Sequence, residues 1–196
     1  MTKNGKLLTA MILFLFFQGA AARAQDAPRV EIGGHYSYLR ANIVADGPAF
    51  NLNGGGGSLA VNVMNWLGLV GEVGAVRQGS VPGTQQSLAV TTFLFGPRIS
   101  YRKFQRVTPF AHALFGAAHG SGSLFSESLG GGTPPLGANT GFAVATGGGV
   151  DLNVDRHFAV RVFQADYLHT RLVNGSNDRQ NSFRLSVGIV LLFGDH

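Results

Sequence analysis

Large apolar residues alternate with small or polar ones, with a period of two, along most of this 196-residue chain. The alternation is clearest near the end of the sequence, where every second residue from Phe183 to Phe193 is large and apolar. Successive side chains of a β-strand point to opposite faces, whereas a helix cannot place such a pattern on one face. The sequence therefore predicts an all-β protein.

Eight segments carry this pattern. We predict strands over residues 30–39, 58–63, 67–76, 88–101, 108–118, 142–153, 158–168 and 183–193. The parity of the fifth and seventh strands, that is, which of their alternate residues face inward, is left open. In the seventh, Arg161 and Asp166 share a face only if a β-bulge lies near Gln164.

The connections between the strands alternate in length. Residues 41–53, 77–87, 121–140 and 173–181 form long connections, and residues 65–66, 103–106 and 155–157 form short turns. An up-and-down meander with four long loops at one end and three short turns at the other is typical of outer-membrane barrels. We call these two ends of the barrel the long-loop end and the short-turn end.

The orientation of the two faces decides between a membrane barrel and a soluble one. One face carries the large apolar residues, and the other is rich in glycine, of which the chain has 29. Because an eight-stranded barrel has little room inside, the small face should point inward and the apolar face toward lipid. This predicts an eight-stranded antiparallel up-and-down transmembrane β-barrel; the inverted orientation would predict a soluble, ligand-binding barrel.

Aromatic residues gather near the predicted strand ends, as in the two interfacial girdles of membrane barrels. Tyr36, Tyr38 and Tyr167 are expected at the long-loop end, and Trp66, Tyr101, Phe158 and Phe193 at the short-turn end. The alternative is that aromatic residues simply favour strands.

The first residues resemble an export signal. Lys3 and Lys6 precede an apolar run at 7–17, and Ala22 and Ala24 are small residues of the kind that precede a cleavage site. Cleavage between Ala24 and Gln25 would leave residues 1–24 as a signal peptide and 25–196 as the barrel domain. A membrane anchor is the alternative, but the run is about half of the 20 residues that a spanning helix needs.

Removal of this segment would also remove Lys3, Lys6 and Arg23, so the net charge would fall from +5 to +2. That balance does not favour a nucleic-acid partner. The absence of cysteine excludes disulfides and thiolate sites.

Four stretches carry a resemblance to a known family: FLFGPR at 93–98, PFAHALFG at 109–116, QADYL at 164–168 and VGIVLLF at 187–193. The chain resembles the small outer-membrane β-barrel proteins of OmpA/OmpX type from Gram-negative bacteria. The resemblance implies a bacterial outer-membrane location, contact with outer-membrane lipid and lipopolysaccharide, and a monomer. It also implies recognition of the last strand by the barrel-assembly machinery, although Gly194, Asp195 and His196 follow the terminal aromatic residue Phe193.

Charged residues on the small face are the candidates for chemistry inside the barrel. They are Glu31, Glu72, Arg98, Asp151, Arg161 and Arg184, joined by His35 and His112. We expect Glu72 to pair with Arg98, and Asp151 with Arg161, because each partner stands on a neighbouring strand. Opposite charges would compensate each other's burial. Our hypothesis is that such a network fills the lumen and limits conduction; alternatively, these groups contact lumen water.

Three classes of function remain open. A structural or surface-interaction role is favoured, with the lumen filled by small and charged side chains, and a narrow channel for small solutes is the first alternative. A lipid A modifying enzyme would need a nucleophile and a base, for which His119, Ser121 and Glu127 in the third long loop are the candidates. Their glycine-rich setting predicts flexibility, as it does for the glycine runs at 54–57 and 130–132. We therefore predict no catalytic residue, no cofactor and no metal.

Overall fold

The computed structural model describes residues 27–42, 50–79, 87–104, 106–121, 138–172 and 179–194. Eight strands account for most of these residues: β1 Val30–Asn42, β2 Phe50–Asn62, β3 Leu67–Gln78, β4 Leu88–Ser100, β5 Val107–Ser121, β6 Ala138–Asn153, β7 Phe158–Thr170 and β8 Gln180–Phe193. The predicted signal segment at 1–24, its cleavage position at Ala24 and Gln25, and the glycines at 130–132 lie outside the described residues.

Each strand pairs antiparallel with the next, and β8 closes the barrel on β1. The closing register runs from Val30 opposite Phe193 to Asn42 opposite Asn181. A closed sheet has no edge, so the strands satisfy one another's backbone groups without water. The predicted fold, an eight-stranded antiparallel up-and-down β-barrel, is confirmed.

Large apolar side chains cover the outside of the barrel. About half of the surface of residues such as Leu69, Val73 and Ile189 is exposed, and Phe95 is 69% exposed. On β3 the outward face is apolar or small from Leu67 until Arg77. Ten residue steps of about 3.3 Å, tilted by roughly 40°, give a band of about 25 Å, the height of the apolar belt in outer-membrane barrels. Within the described residues, no helix is long and apolar enough to span a membrane.

The strands extend further toward the long-loop end than the sequence predicted. They have 12 to 16 residues instead of about ten. Strand β2 already begins at Phe50, so the glycine run 54–57 lies inside a strand, and the prediction of a flexible loop there is wrong. Glycine is needed at this place for a steric reason. A Cβ atom on Gly56 would collide with the backbone oxygen of Val73 on β3 and would lie 2.8 Å from Nε2 of His35, its partner on β1.

Strand β7 contains the bulge that a shared face for Arg161 and Asp166 requires. Its register with β8 shifts between Arg161 and Gln164, and the two intervening residues, Val162 and Phe163, both point outward. Arg161, Gln164 and Asp166 consequently all face the interior. The open parity of β5 is also resolved, because its even-numbered residues from Thr108 to Leu114 are buried.

Candidate functional site in the barrel interior

The interior toward the short-turn end and the middle of the barrel is filled by charged side chains. All six predicted interior charges are at most 5% exposed, and His35 and His112 are 8% exposed. Asp166 and Arg102, which were not among the predicted site residues, join them. We call the eight acidic and basic residues the ionic section: Glu31, Glu72, Arg98, Arg102, Asp151, Arg161, Asp166 and Arg184. Its four carboxylates and four guanidinium groups balance in formal charge.

Glu31 organises the charges nearest the short-turn end. Its two carboxylate oxygens lie 2.5 Å from Arg98 Nη2 and 2.6 Å from Arg102 Nη2. Asn62 Nδ2 donates a hydrogen bond of 2.7 Å to the same carboxylate. Because Arg102 follows β4, this cluster also fastens a short turn to the barrel wall.

Asp151 and Arg161 stand directly opposite each other on β6 and β7. Arg161 donates from Nε to Asp151 Oδ1 at 2.8 Å and from Nη2 to Oδ2 at 3.0 Å. This two-pronged geometry is the strong form of a charge-assisted hydrogen bond. The ring centroid of Phe110 lies 4.6 Å from Cζ of Arg161 and 5.5 Å from Cζ of Arg98. Because Arg98 binds Glu31, this ring connects the Asp151–Arg161 pair to the Glu31 cluster.

Arg184 bridges two carboxylates from opposite parts of the wall. Its Nη2 atom lies 2.6 Å from both Glu72 Oε1 and Asp166 Oδ2. His112 Nε2 lies 2.8 Å from the other Asp166 oxygen. Gln164 donates to Asp166 at 2.8 Å and to Glu72 at 3.3 Å, and accepts from Arg161, so it links this cluster to the Asp151 pair.

The predicted pairing of Glu72 with Arg98 is wrong. In the register of β3 with β4, Arg98 stands opposite Gly68 and Glu72 opposite Leu94. The two charges are thus offset by four residues, about 13 Å along the strand. Both residues find partners on non-adjacent strands, because long side chains reach across so narrow an interior.

His35 occupies a slot between two glycines. Its register partners are Gly56 on β2 and Gly188 on β8, and a Cβ on Gly188 would lie 2.9 Å from His35 Cβ. Within the described part of the chain, neither ring nitrogen of His35 has a hydrogen-bond partner. The two inward glycines therefore make room for a buried imidazole at the level of the ionic section.

The interior toward the long-loop end is mostly apolar, whereas the sequence predicts a lumen filled by small and charged side chains. Thr170, Gln180 and Ser182 are buried polar residues at this end. We call the ten large apolar residues there the apolar section: Leu39, Phe50, Leu52, Val76, Leu88, Val90, Leu94, Leu114, Leu168 and Leu172. Leu52 and Leu114 are completely buried. A cavity of about 10 Å³, lined by Ser37, Thr92 and Arg184 among others, lies where the two sections meet. That volume suits about one water molecule.

The residues considered for catalysis do not form a triad among the described residues. His119 and Ser121 lie on strand β5, not in a loop, because β5 pairs with β6 up to Ser121 opposite Ala138. His119 Nδ1 lies 2.8 Å from Thr140 Oγ1. Glu127 lies outside the described residues. In the part of the chain that the structure describes, no three potential ligands form a metal-binding group.

The predicted girdle residues lie on the outer surface. Tyr36, Trp66, Tyr101, Tyr167 and Phe193 are between 40% and 55% exposed, and Tyr38 and Phe158 are half-buried. Tyr36 donates a hydrogen bond of 2.9 Å to Asn53 Oδ1. A phenol that is apolar at its ring and hydrogen-bonded at its tip suits an interface between lipid and water.

Comparisons with known proteins agree on the type of barrel. The family profile described as "outer membrane protein beta-barrel domain" matches residues 9–190. A search of curated proteins found no match. Neisserial surface protein A is similar in structure, with a TM-score of 0.59 and 18% identity over 86% of this chain and 100% of that one. Ail, the attachment invasion locus protein of Yersinia pestis, was solved with the heparin analogue sucrose octasulfate. Its TM-score is 0.52 at 20% identity, over 83% of this chain and 99% of that one.

Proposed function

Since the chain belongs to the outer membrane protein β-barrel domain family and is a bacterial outer-membrane protein, we propose that it acts as a closed barrel with a structural or surface-interaction role. The observation that carries this proposal is the filling of the interior by two different layers. An ion crossing the barrel would have to separate the paired charges of the ionic section and then enter the apolar section.

Both layers oppose conduction for physical reasons. Removing one member of a buried ion pair leaves the other uncompensated, at a cost of about 3–5 kcal/mol. In the apolar section, an ion would also lose its hydration shell among leucines such as Leu52 and Leu114, which are completely buried. The cavity between the layers, at about 10 Å³, is too small for a hydrated ion. These features favour the closed barrel over a narrow channel.

A surface-interaction role is supported by the rigid strands that reach the long-loop end. β5 and β6 pair without interruption from Val107 opposite Leu152 to Ser121 opposite Ala138. Loops held on such a scaffold are common sites of binding. We propose that the role is not enzymatic, since among the described residues no hydrogen bond joins His119, the candidate base, to Ser121, the candidate nucleophile; His119 Nδ1 contacts Thr140 instead.

Single-channel recording in planar bilayers tests this function. The wild-type protein should give no discrete current steps, and Arg98→Ala should stay closed because the apolar section lies above it. The matched control is Leu114→Ala combined with Arg184→Ala, which removes bulk from both layers and should conduct. Discrete steps in the wild type, at a frequency proportional to the amount of folded protein, would overturn the proposal in favour of a narrow channel.

A further inference from the structure

A groove opens on the lipid-facing side of β1 to β4. It has a volume of about 590 Å³, and its walls are the outward side chains of Ile32, Leu59, Val73, Phe93 and Phe95. Its floor includes the backbone at Gly57 and Gly71, which stand opposite Val73 and Leu59 respectively in the register of β2 with β3. Along β3, Gly71 lies four residues from Leu67, toward the long-loop end, and six residues from Arg77, toward the short-turn end. The groove therefore lies near the middle of the apolar band.

Packing within the barrel does not explain glycine at this place. A Cβ atom on Gly71 would meet nothing within 4 Å, and one on Gly57 would meet only a backbone oxygen at 3.5 Å. This differs from the inward glycine Gly56, where a Cβ would collide with the backbone oxygen of Val73 and with His35. The outward glycines leave open a space that a larger side chain could occupy. In a membrane, a lipid acyl chain is the apolar group that fills such a space.

Two arginines lie above the groove on the same face. Arg40 on β1 and Arg77 on β3 are exposed, and they stand opposite Asn51 and Asn53 of the intervening strand β2. Among the described residues, neither guanidinium forms a hydrogen bond or an ion pair. Arginine favours phosphate because its planar donors match the oxygens of that group. Arg40, Asn51, Asn53 and Arg77 thus form a polar ledge, with the groove beneath it.

The spacing of ledge and groove fits one lipid molecule. Arg77 is six residues from Gly71, about 20 Å along the strand and roughly 15 Å along the barrel axis after tilt. Half of the apolar band is about 12 Å. An acyl chain that descends from a head group at the ledge would therefore end in the groove.

We propose that this face binds one anionic, phosphate-bearing lipid of the leaflet at the long-loop end, with its head group on the ledge and one acyl chain in the groove. The proposal depends on the membrane location of the barrel. It does not depend on whether the lumen conducts, so the two can fail separately.

Native mass spectrometry of the folded protein, released from bicelles of phosphatidylcholine and phosphatidylglycerol, tests the site. The wild type should retain phosphatidylglycerol in preference to phosphatidylcholine. Arg40→Gln and Arg77→Gln should each lower that preference roughly fivefold, the effect of one basic residue near an anionic surface. Arg171→Gln is the matched control: it removes an exposed arginine at the same end of the barrel, on β7, away from the groove.

The groove is tested by Gly71→Leu, which fills it, against Thr146→Leu, which adds apolar bulk to the outward face of β6. Only Gly71→Leu should lose retained lipid, and a heat-dependent gel shift verifies that each variant is folded. Equal retention in Gly71→Leu and the wild type would overturn the proposal. So would an equal loss of preference in Arg171→Gln, which would indicate a response to net charge alone. A dimer mass that Gly71→Leu abolishes would make a second copy of the chain the occupant instead.

Discussion

Replacement of Arg161 by methionine should destabilise the barrel by leaving Asp151 buried without its partner. In the wild type, both carboxylate oxygens of Asp151 accept hydrogen bonds from Arg161, at 2.8 and 3.0 Å, and both residues are 5% exposed. Breaking a buried pair from one side costs about 3–5 kcal/mol, because the remaining charge is uncompensated. Methionine keeps much of the volume of the arginine stem, so a cavity should contribute little.

The double variant Asp151→Asn with Arg161→Met separates charge from packing. It leaves no unpaired charge, so its loss of stability should be smaller than the sum of the two single losses by roughly 1–3 kcal/mol. Urea unfolding in detergent micelles, followed by the fluorescence of Trp66, the single tryptophan of the chain, measures these free energies. If the double variant lost as much as the two single variants together, the ion pair would not be the cause of the loss.

Other predictions concern the fold and the packing of the interior. The protein from the outer-membrane fraction should migrate differently on a gel when unboiled and boiled, because a closed barrel resists cold detergent; identical mobility would contradict a folded membrane barrel. Gly56→Ala should lower the free energy of unfolding by about 1–3 kcal/mol, since the new methyl group would collide with the backbone oxygen of Val73 and press on the ring of His35. Gly34→Ala, whose Cβ would meet nothing within 4 Å, should change it by no more than about 0.5 kcal/mol in the same urea titration. Leu114→Ala should cost about 2–5 kcal/mol because Leu114 is completely buried in the apolar section; a loss below about 1 kcal/mol would mean that this layer is loosely packed.

The strands and their order could be predicted because membrane barrels separate large outward residues from small inward ones in every strand. The prediction was least accurate where glycine removes that contrast, as at Gly54 to Gly57. Glycine carries no hydrophobic signal, and its role in β2 depends on a side chain of another strand, His35. The long-loop ends of the strands were also predicted too short, because backbone pairing continues past the apolar band.

Interior position could be predicted from parity, but interior partners could not. Parity places Glu72 and Arg98 inside the barrel, yet their partners are set by the radius of the barrel and the offset between strands. The sequence does not place Asp166 inside the barrel, because its parity relative to Arg161 depends on whether β7 contains a bulge. The apolar section could not be predicted for a different reason. In β4, Leu88, Val90 and Leu94 alternate with residues that are also largely apolar, so the sequence pattern does not distinguish the inward face from the outward face.

Buried ion pairs are poor sources of stability, and apolar replacements are often as good. The ionic section has a second physical consequence, which concerns register. A shift of one residue in a strand moves every side chain to the opposite face. In β7, such a shift would move Arg161, which lies between the girdle residues Phe158 and Tyr167, from Asp151 into lipid, where an arginine near the midplane costs about 2–4 kcal/mol. It would also leave the carboxylate of Asp151 without its partner. In β8 it would separate Arg184 from its two carboxylates and turn it outward near the long-loop end, where the cost of lipid exposure is smaller. An apolar interior would lack this penalty, because leucine is tolerated on either face. The charges therefore oppose misregistered barrels more strongly than they stabilise the correct one, and the apolar section, which carries no such information, lies beyond them at the long-loop end.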